Sequence, residues 1–252
     1  MKGVIDVLEL QGQREKHRKL INYTKHEGSY IGVRFIMECG MKLNFGPTTI
    51  TTAAHIFHAF FKETDIKLYD MYLIGATCLV MASKIKNSEV KLRDVINVAH
   101  STLFRGSSPL ELTDKYWAMR DAIFQAELLI MRMIKFQFSI PDPFKYLLQY
   151  YKTMKAWLSP RDWKDAPLIQ NALAFLTDFY HDRTVINYKP EHLAIASLFL
   201  TLQCHGVSVP NTGEDDGVAW FSVFDPELTR DKVWEIAERM MDCYDEEPKE
   251  NS

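Results

Sequence analysis

The chain has 252 residues, 47% of them hydrophobic and 25% charged, which is enough apolar material for one large or two small cores. A formal net charge of −3 excludes a general binder of phosphate backbones. No uninterrupted apolar run reaches membrane-spanning length. The four cysteines, Cys39, Cys78, Cys204 and Cys243, lack CxxC spacing and are expected as buried thiols rather than disulfides or zinc ligands. Asn22-Tyr23-Thr24 is a glycosylation sequon, but nothing before it resembles a signal peptide, so it is expected to be unused.

Nearly every segment carries helical periodicity. Residues 1–29 are polar and mixed in charge and are expected as an extension, partly disordered or one loose helix over 7–21. The first firm helix covers about 30–44, with Val33, Ile36, Met37, Gly40 and Leu43 on one face. Gly46 is expected to end it in a left-handed conformation, and Pro47 to open a second helix that runs to about Lys62. Asp70 is the expected N-cap of a third helix. Its interior, residues 73–82, is small and apolar all round, which predicts a central, closely packed position. A fourth helix follows over about 90–103. A turn at Gly106-Ser107-Ser108-Pro109 separates it from a long fifth helix over about 114–134.

Pro141-Asp142-Pro143 interrupts the pattern and marks the expected module boundary. Beyond it the chain repeats itself. At an offset of 120 residues, Pro47, Ala54, Thr64, Ile66, Leu73 and Ala76 recur as Pro167, Ala174, Thr184, Ile186, Leu193 and Ala196, without a gap. Helices are expected over about 144–158, 167–181 and 190–205, then an acidic loop over 211–217, a last helix from about Thr229, and an acidic tail over 245–252. The fold class is therefore all-α, in two tandem modules of about five helices, 30–140 and 141–244.

No phosphate-binding glycine loop and no ExxH di-iron motif occurs. His55 and His58 form an HxxH pair without an evident third ligand, so boundary histidines are the expectation. The aromatics Tyr150, Tyr151, Trp157 and Trp163 lack interleaved arginines and are expected in the core. The chain is thus read as non-enzymatic, with no catalytic residue, no metal site and no cofactor. Two charges stand within apolar helices: Lys84 at the end of the third and Glu127 inside the fifth. Each reads as a helix-end or boundary charge reaching solvent, or as half of a pair at the rim of an apolar patch awaiting a partner.

The sequence LVMASKI at 79–85 and QAELLIMRMIKFQF at 125–138 resemble the third and fifth helices of the cyclin box. RFIMECGMKL (34–43), RDVINV (93–98), PLEL (109–112), RDAIFQAELL (120–129) and KYLL (145–148) are similar in particular to the branch of that family whose expected partner is cyclin-dependent kinase 10. The resemblance covers about residues 30–244. It implies two tandem cyclin-box five-helix bundles and a regulatory subunit that forms a heterodimer with a cyclin-dependent kinase and activates it, in nucleus and cytoplasm. It implies no direct contact with nucleic acid or membrane. Lys84 and Glu127 match the family positions that anchor the kinase near its C-helix, and Met81, Ile85, Met131, Phe136 and Phe138 match the apolar docking surface.

The chain departs from the family pattern in places. Lys86-Asn87 replaces an acidic pair, His58 replaces a helix-2 aspartate, and GVRFIMECG replaces the first-helix motif used for docking short Arg-x-Leu substrates, so that recruitment is not expected. A cyclin-fold general transcription factor, a scaffold without kinase activation, and an all-helical enzyme are the rival readings.

Overall fold

The computed structural model describes residues 21–23, 28–158, 167–209 and 219–245. Among the described residues there are nine α-helices and no strand: α1 (Ser29–Lys42), α2 (Pro47–Glu63), α3 (Met71–Ile85), α4 (Leu92–Leu103), α5 (Asp114–Met133), α6 (Pro143–Met154), α7 (Leu168–Asp178), α8 (Pro190–His205) and α9 (Arg230–Asp245). No helix among them is long and apolar enough to cross a membrane. The helix expected over 7–21, apart from its last residue, the loop at 211–217, Trp163 and the tail beyond Asp245 lie outside the described residues.

The chain divides into two compact units. The first comprises residues 22–141 together with the eight-residue segment Tyr180–Asn187; the second comprises the remainder.

In the first unit, α3 packs against α1, α2, α4 and α5. Asp70 caps it, its carboxylate accepting from the backbone N–H groups of Tyr72 and Leu73 at 2.9 and 3.3 Å. Gly75, Ala76, Cys78, Ala82 and Ser83 along it are buried, and their small size lets four neighbours approach one axis. Phe35, Phe57, Phe60, Leu79, Ile96 and Ile123 fill the spaces between. Gly32 has a direct packing role: a Cβ there would lie 2.4 Å from the Phe57 ring.

The end of α1 departs from expectation. Gly46 has φ −69° and simply precedes Pro47 at the start of α2. Asn44 takes the left-handed conformation instead, with φ 57°. The Phe45 N–H donates to the Gly40 carbonyl at 2.9 Å and the Asn44 N–H to the Met41 carbonyl at 3.0 Å, the paired bonds of a Schellman turn. The same two bonds close α3 at Asn87, α5 at Lys135 and α8 at Gly206.

The expected looseness of residues 1–29 also fails at one place. Tyr23 is buried, its hydroxyl donating to Glu38 Oε2 at 2.7 Å. Arg105 Nη2 reaches the same oxygen at 3.0 Å, Lys42 Nζ reaches Glu38 Oε1 at 2.8 Å, and the Tyr72 hydroxyl donates to the Tyr23 carbonyl. Burial alone would raise the Glu38 carboxyl, but the bonds from Lys42, Tyr23 and Arg105 hold it below its usual range.

In the second unit, α8 packs against α6, α7 and α9. The offset-120 repeat is visible in the element order. Where α2 leads through a 3₁₀ turn at Ile66–Leu68 into α3, α7 leads through two 3₁₀ turns, Phe179–His181 and Arg183–Asn187, into α8. Among its described residues the second unit has four α-helices, and Trp220–Val223 forms a 3₁₀ turn before α9. Tyr150 stacks on Phe224 at 4.2 Å between ring centres. Of the cysteines, Cys39, Cys78 and Cys243 are buried thiols as expected, whereas Cys204 is exposed.

Candidate partner-binding surface

Lys84 occupies the last turn of α3, where the helix dipole favours a cation, and Glu127 lies two turns from the end of α5. The packing of α3 on α5 brings them together although they are 43 residues apart: Lys84 Nζ lies 2.5 Å from Glu127 Oε1. The glutamate side chain is 14% exposed and the lysine 58%. An ion pair with one arm in solvent adds no more than about 1 kcal/mol to folding. Stability therefore gives little reason for this pair, and the lysine is free to exchange its contact for one with a partner.

The neighbouring apolar residues divide into three groups. Phe136 and Phe138 are 65% and 38% exposed and meet edge to face at 6.4 Å. Ile85 and Met131 are half-buried at the ends of α3 and α5. Met81 differs from the expectation: at 3% exposure it belongs to the core beneath the surface. The family resemblance implies a surface position for Met81, and in an all-round apolar helix such as α3 nothing in the residue order separates inward from outward positions to correct it.

The turn that presents Phe136 is strained. Lys135 and Phe136 have φ 55° and 57°, two successive non-glycine residues in the left-handed region. The Phe136 N–H donates to the Met131 carbonyl at 2.9 Å, which holds the turn closed. Backbone strain of this kind persists where surrounding structure imposes it, commonly at binding sites.

The departures noted in the sequence have structural explanations. Asn87 supplies the left-handed cap of α3. His58 is buried, its Nε2–H donating to the Tyr180 carbonyl at 2.8 Å, with Ser29 Oγ 3.4 Å from Nδ1. Burial pushes its pKa down to about 4. His55 is lowered in the same direction, chiefly by burial; among the described residues no three His, Cys, Asp or Glu side chains are grouped to hold a metal. Gly32 and Gly40 lie against α2, and Glu38 is engaged by Tyr23, Lys42 and Arg105.

Residues 8–139, more than half of the chain, match the family described as "Cyclin, N-terminal domain". The chain belongs to the cyclin family. It is 27% identical over 183 residues to Cyclin pch1 of Schizosaccharomyces pombe, covering 72% of this chain and 52% of that one. It is 25% identical over 214 residues to human Cyclin-K, covering 84% of this chain and 36% of that one. This cyclin thus spans about half, or less, of the length of these curated relatives. Among solved structures it is similar in fold to a chain of the yeast RNA Pol II CTD kinase CTDK-1 complex, with TM-score 0.69, 16% identity, and coverage of 95% of this chain and 72% of that one. A chain of the yeast TFIIK (Kin28/Ccl1/Tfb3) complex matches with TM-score 0.57 and 14% identity over 97% of this chain and 94% of that one.

Proposed function

We propose that this cyclin is the activating, regulatory subunit of a cyclin-dependent protein kinase, that it is of the cyclin-Q (cyclin M) type, and that its catalytic partner is cyclin-dependent kinase 10. The observation that carries the reading is the meeting of Lys84 and Glu127 at 2.5 Å, with Phe136 and Phe138 exposed just past the end of the helix that carries Glu127. The exposed aromatic pair gives a partner something to bury, and the ion pair supplies a charged anchor at its rim.

The chain would act by position and contribute no catalytic atom. A kinase C-helix seated on Ile85, Met131, Phe136 and Phe138 is held inward, which brings its glutamate to the lysine that orients ATP. Binding the active conformation more tightly than the inactive one shifts the kinase between two states. Similarity in fold to chains of a CTD kinase complex and of TFIIK supports a kinase-bound setting and a nuclear role, with a cytoplasmic pool as a further part of the proposal.

Affinity purification of the tagged chain from cells, with mass spectrometry of associated kinases, tests the partner. Purified with that kinase, the chain should raise phosphotransfer by orders of magnitude and alone show no ATP turnover. Stable binding with an unchanged rate would make it a scaffold. DNA binding at physiological salt would favour the transcription-factor reading.

A further inference from the structure

Helix α5 is apolar on two faces, and the core uses one of them. Tyr116, Ile123, Ala126 and Ile130 are buried, the stripe expected of a helix lying on its neighbours. Trp117, Phe124 and Leu128 form a second stripe, at i, i+7 and i+11, roughly three-eighths of a turn round the helix from the first. They are 42%, 48% and 63% exposed. Glu127 lies between the two stripes, and half-buried Met131 continues the second toward the helix end.

A charged group organises this outer stripe. The Arg120 guanidinium sits 4.5 Å from the Trp117 ring centre and 6.0 Å from that of Phe124. Its Nε and Nη2 donate to Asp121 Oδ1 at 3.1 and 2.9 Å. One edge of the planar group is thereby fixed and the Nη1 edge is left for an acceptor. Tryptophan and arginine are two of the residue types enriched in protein-interface hot spots.

We propose that Trp117, Arg120, Phe124 and Leu128 form a second contact surface for the same kinase, one that extends its footprint along α5 and helps select which kinase binds. The kinase surface that fits is apolar, with a carboxylate or carbonyl at its border to meet Arg120. The inference rests on the functional reading above, and continuity identifies the occupant. Leu128 adjoins Glu127 in the chain, and Phe124 lies one turn before it. A standard interface covers about 800 Å² on each partner, a disc of roughly 16 Å radius. Ten residues of helix separate Trp117 from Glu127, about 15 Å. A partner centred on the ion pair therefore reaches the whole stripe.

The test compares two variants of the full chain: Glu127→Lys, and the triple variant Trp117→Ala, Phe124→Ala, Leu128→Ala. Each is checked by thermal melting and titrated with purified full-length cyclin-dependent kinase 10 in a calorimeter. Both should lose at least about tenfold in affinity, and the triple variant should melt no lower than wild type because its truncated side chains are solvent-facing. Arg120→Glu should also weaken binding. If Glu127→Lys binds weakly while the triple variant stays within twofold of wild type, the stripe is outside the interface and the proposal fails alone. If neither variant weakens binding, the functional reading fails and takes this inference with it. If wild type self-associates in sedimentation and the triple variant does not, the stripe joins two copies of this chain and the proposal is overturned.

Discussion

His58 Nε2 donates a hydrogen bond of 2.8 Å to the backbone carbonyl of Tyr180, 122 residues further along the chain. The bond fixes the tautomer, with the proton on Nε2, and it closes a buried site that has no room for a charged imidazolium. Burial lowers the pKa of His58 from 6.5 to about 4. Between those values the unfolded chain holds a proton that the folded chain does not, so stability is fully present above about pH 6.5 and is lost as pH falls toward 4. The loss from one such histidine is on the order of 3 kcal/mol. His55 is lowered to about 4 as well and adds in the same direction. Thermal melts from pH 7.5 to 4.5 should show this decline, and His58→Gln should flatten about half of it. An unchanged slope in that variant would show that the histidine does not drive the pH dependence.

Gly32→Ala tests the closeness of α1 and α2. The added methyl would meet the buried Phe57 ring at 2.4 Å, so the ring or the helix must shift. Overpacking of this kind destabilises by about 1–3 kcal/mol. The drop should be read in a denaturant midpoint at constant slope. A neutral result would mean the helices separate freely.

Lys135→Gly tests strain at the docking face. The other three Schellman turns use Asn44, Asn87 and Gly206, residue types that accept a positive φ readily, whereas Lys135 does not. Glycine should stabilise the free protein by about 0.5–1 kcal/mol. If the strained turn aims Phe136, the same change should weaken kinase binding by loosening it. A variant that is more stable and binds as well as wild type would leave the strain without a role in docking.

Glu127→Lys separates a docking role from a structural one. The lost ion pair has an exposed lysine, so the melting temperature should change little. Kinase association should fall about a hundredfold or more, because a charged anchor desolvated in an interface costs several kcal/mol when broken. A large loss of stability with binding retained would assign Glu127 to the fold.

The parts of this fold that were legible in the sequence are those set by local chemistry. The Asp70 cap and the limits of α8, Pro190 to His205, follow from signals within a few residues of each other. The pairing of Lys84 with Glu127 was suggested by family pattern and needed α3 and α5 to pack before it became a contact. The Tyr23–Glu38–Arg105 group left no trace, since its members are spread over 83 positions and no short-range rule links them. Asn44 and Gly46 both tolerate a positive φ, and composition alone could not choose between them. The stripe of Trp117, Phe124 and Leu128 was present in the spacing of α5, but a helix read for one apolar face hides a second.

The assignment of Tyr180–Asn187 to the first compact unit means that the chain's order of synthesis is not its order of completion. A ribosome that has made everything through Pro141 has supplied five helices but not the carbonyl that His58 binds. That first body must wait, with a gap at His58, until the segment through Asn187 emerges. A fragment cut at the repeat boundary would keep this gap permanently, and the natural unit for expression or rescue experiments runs past residue 187.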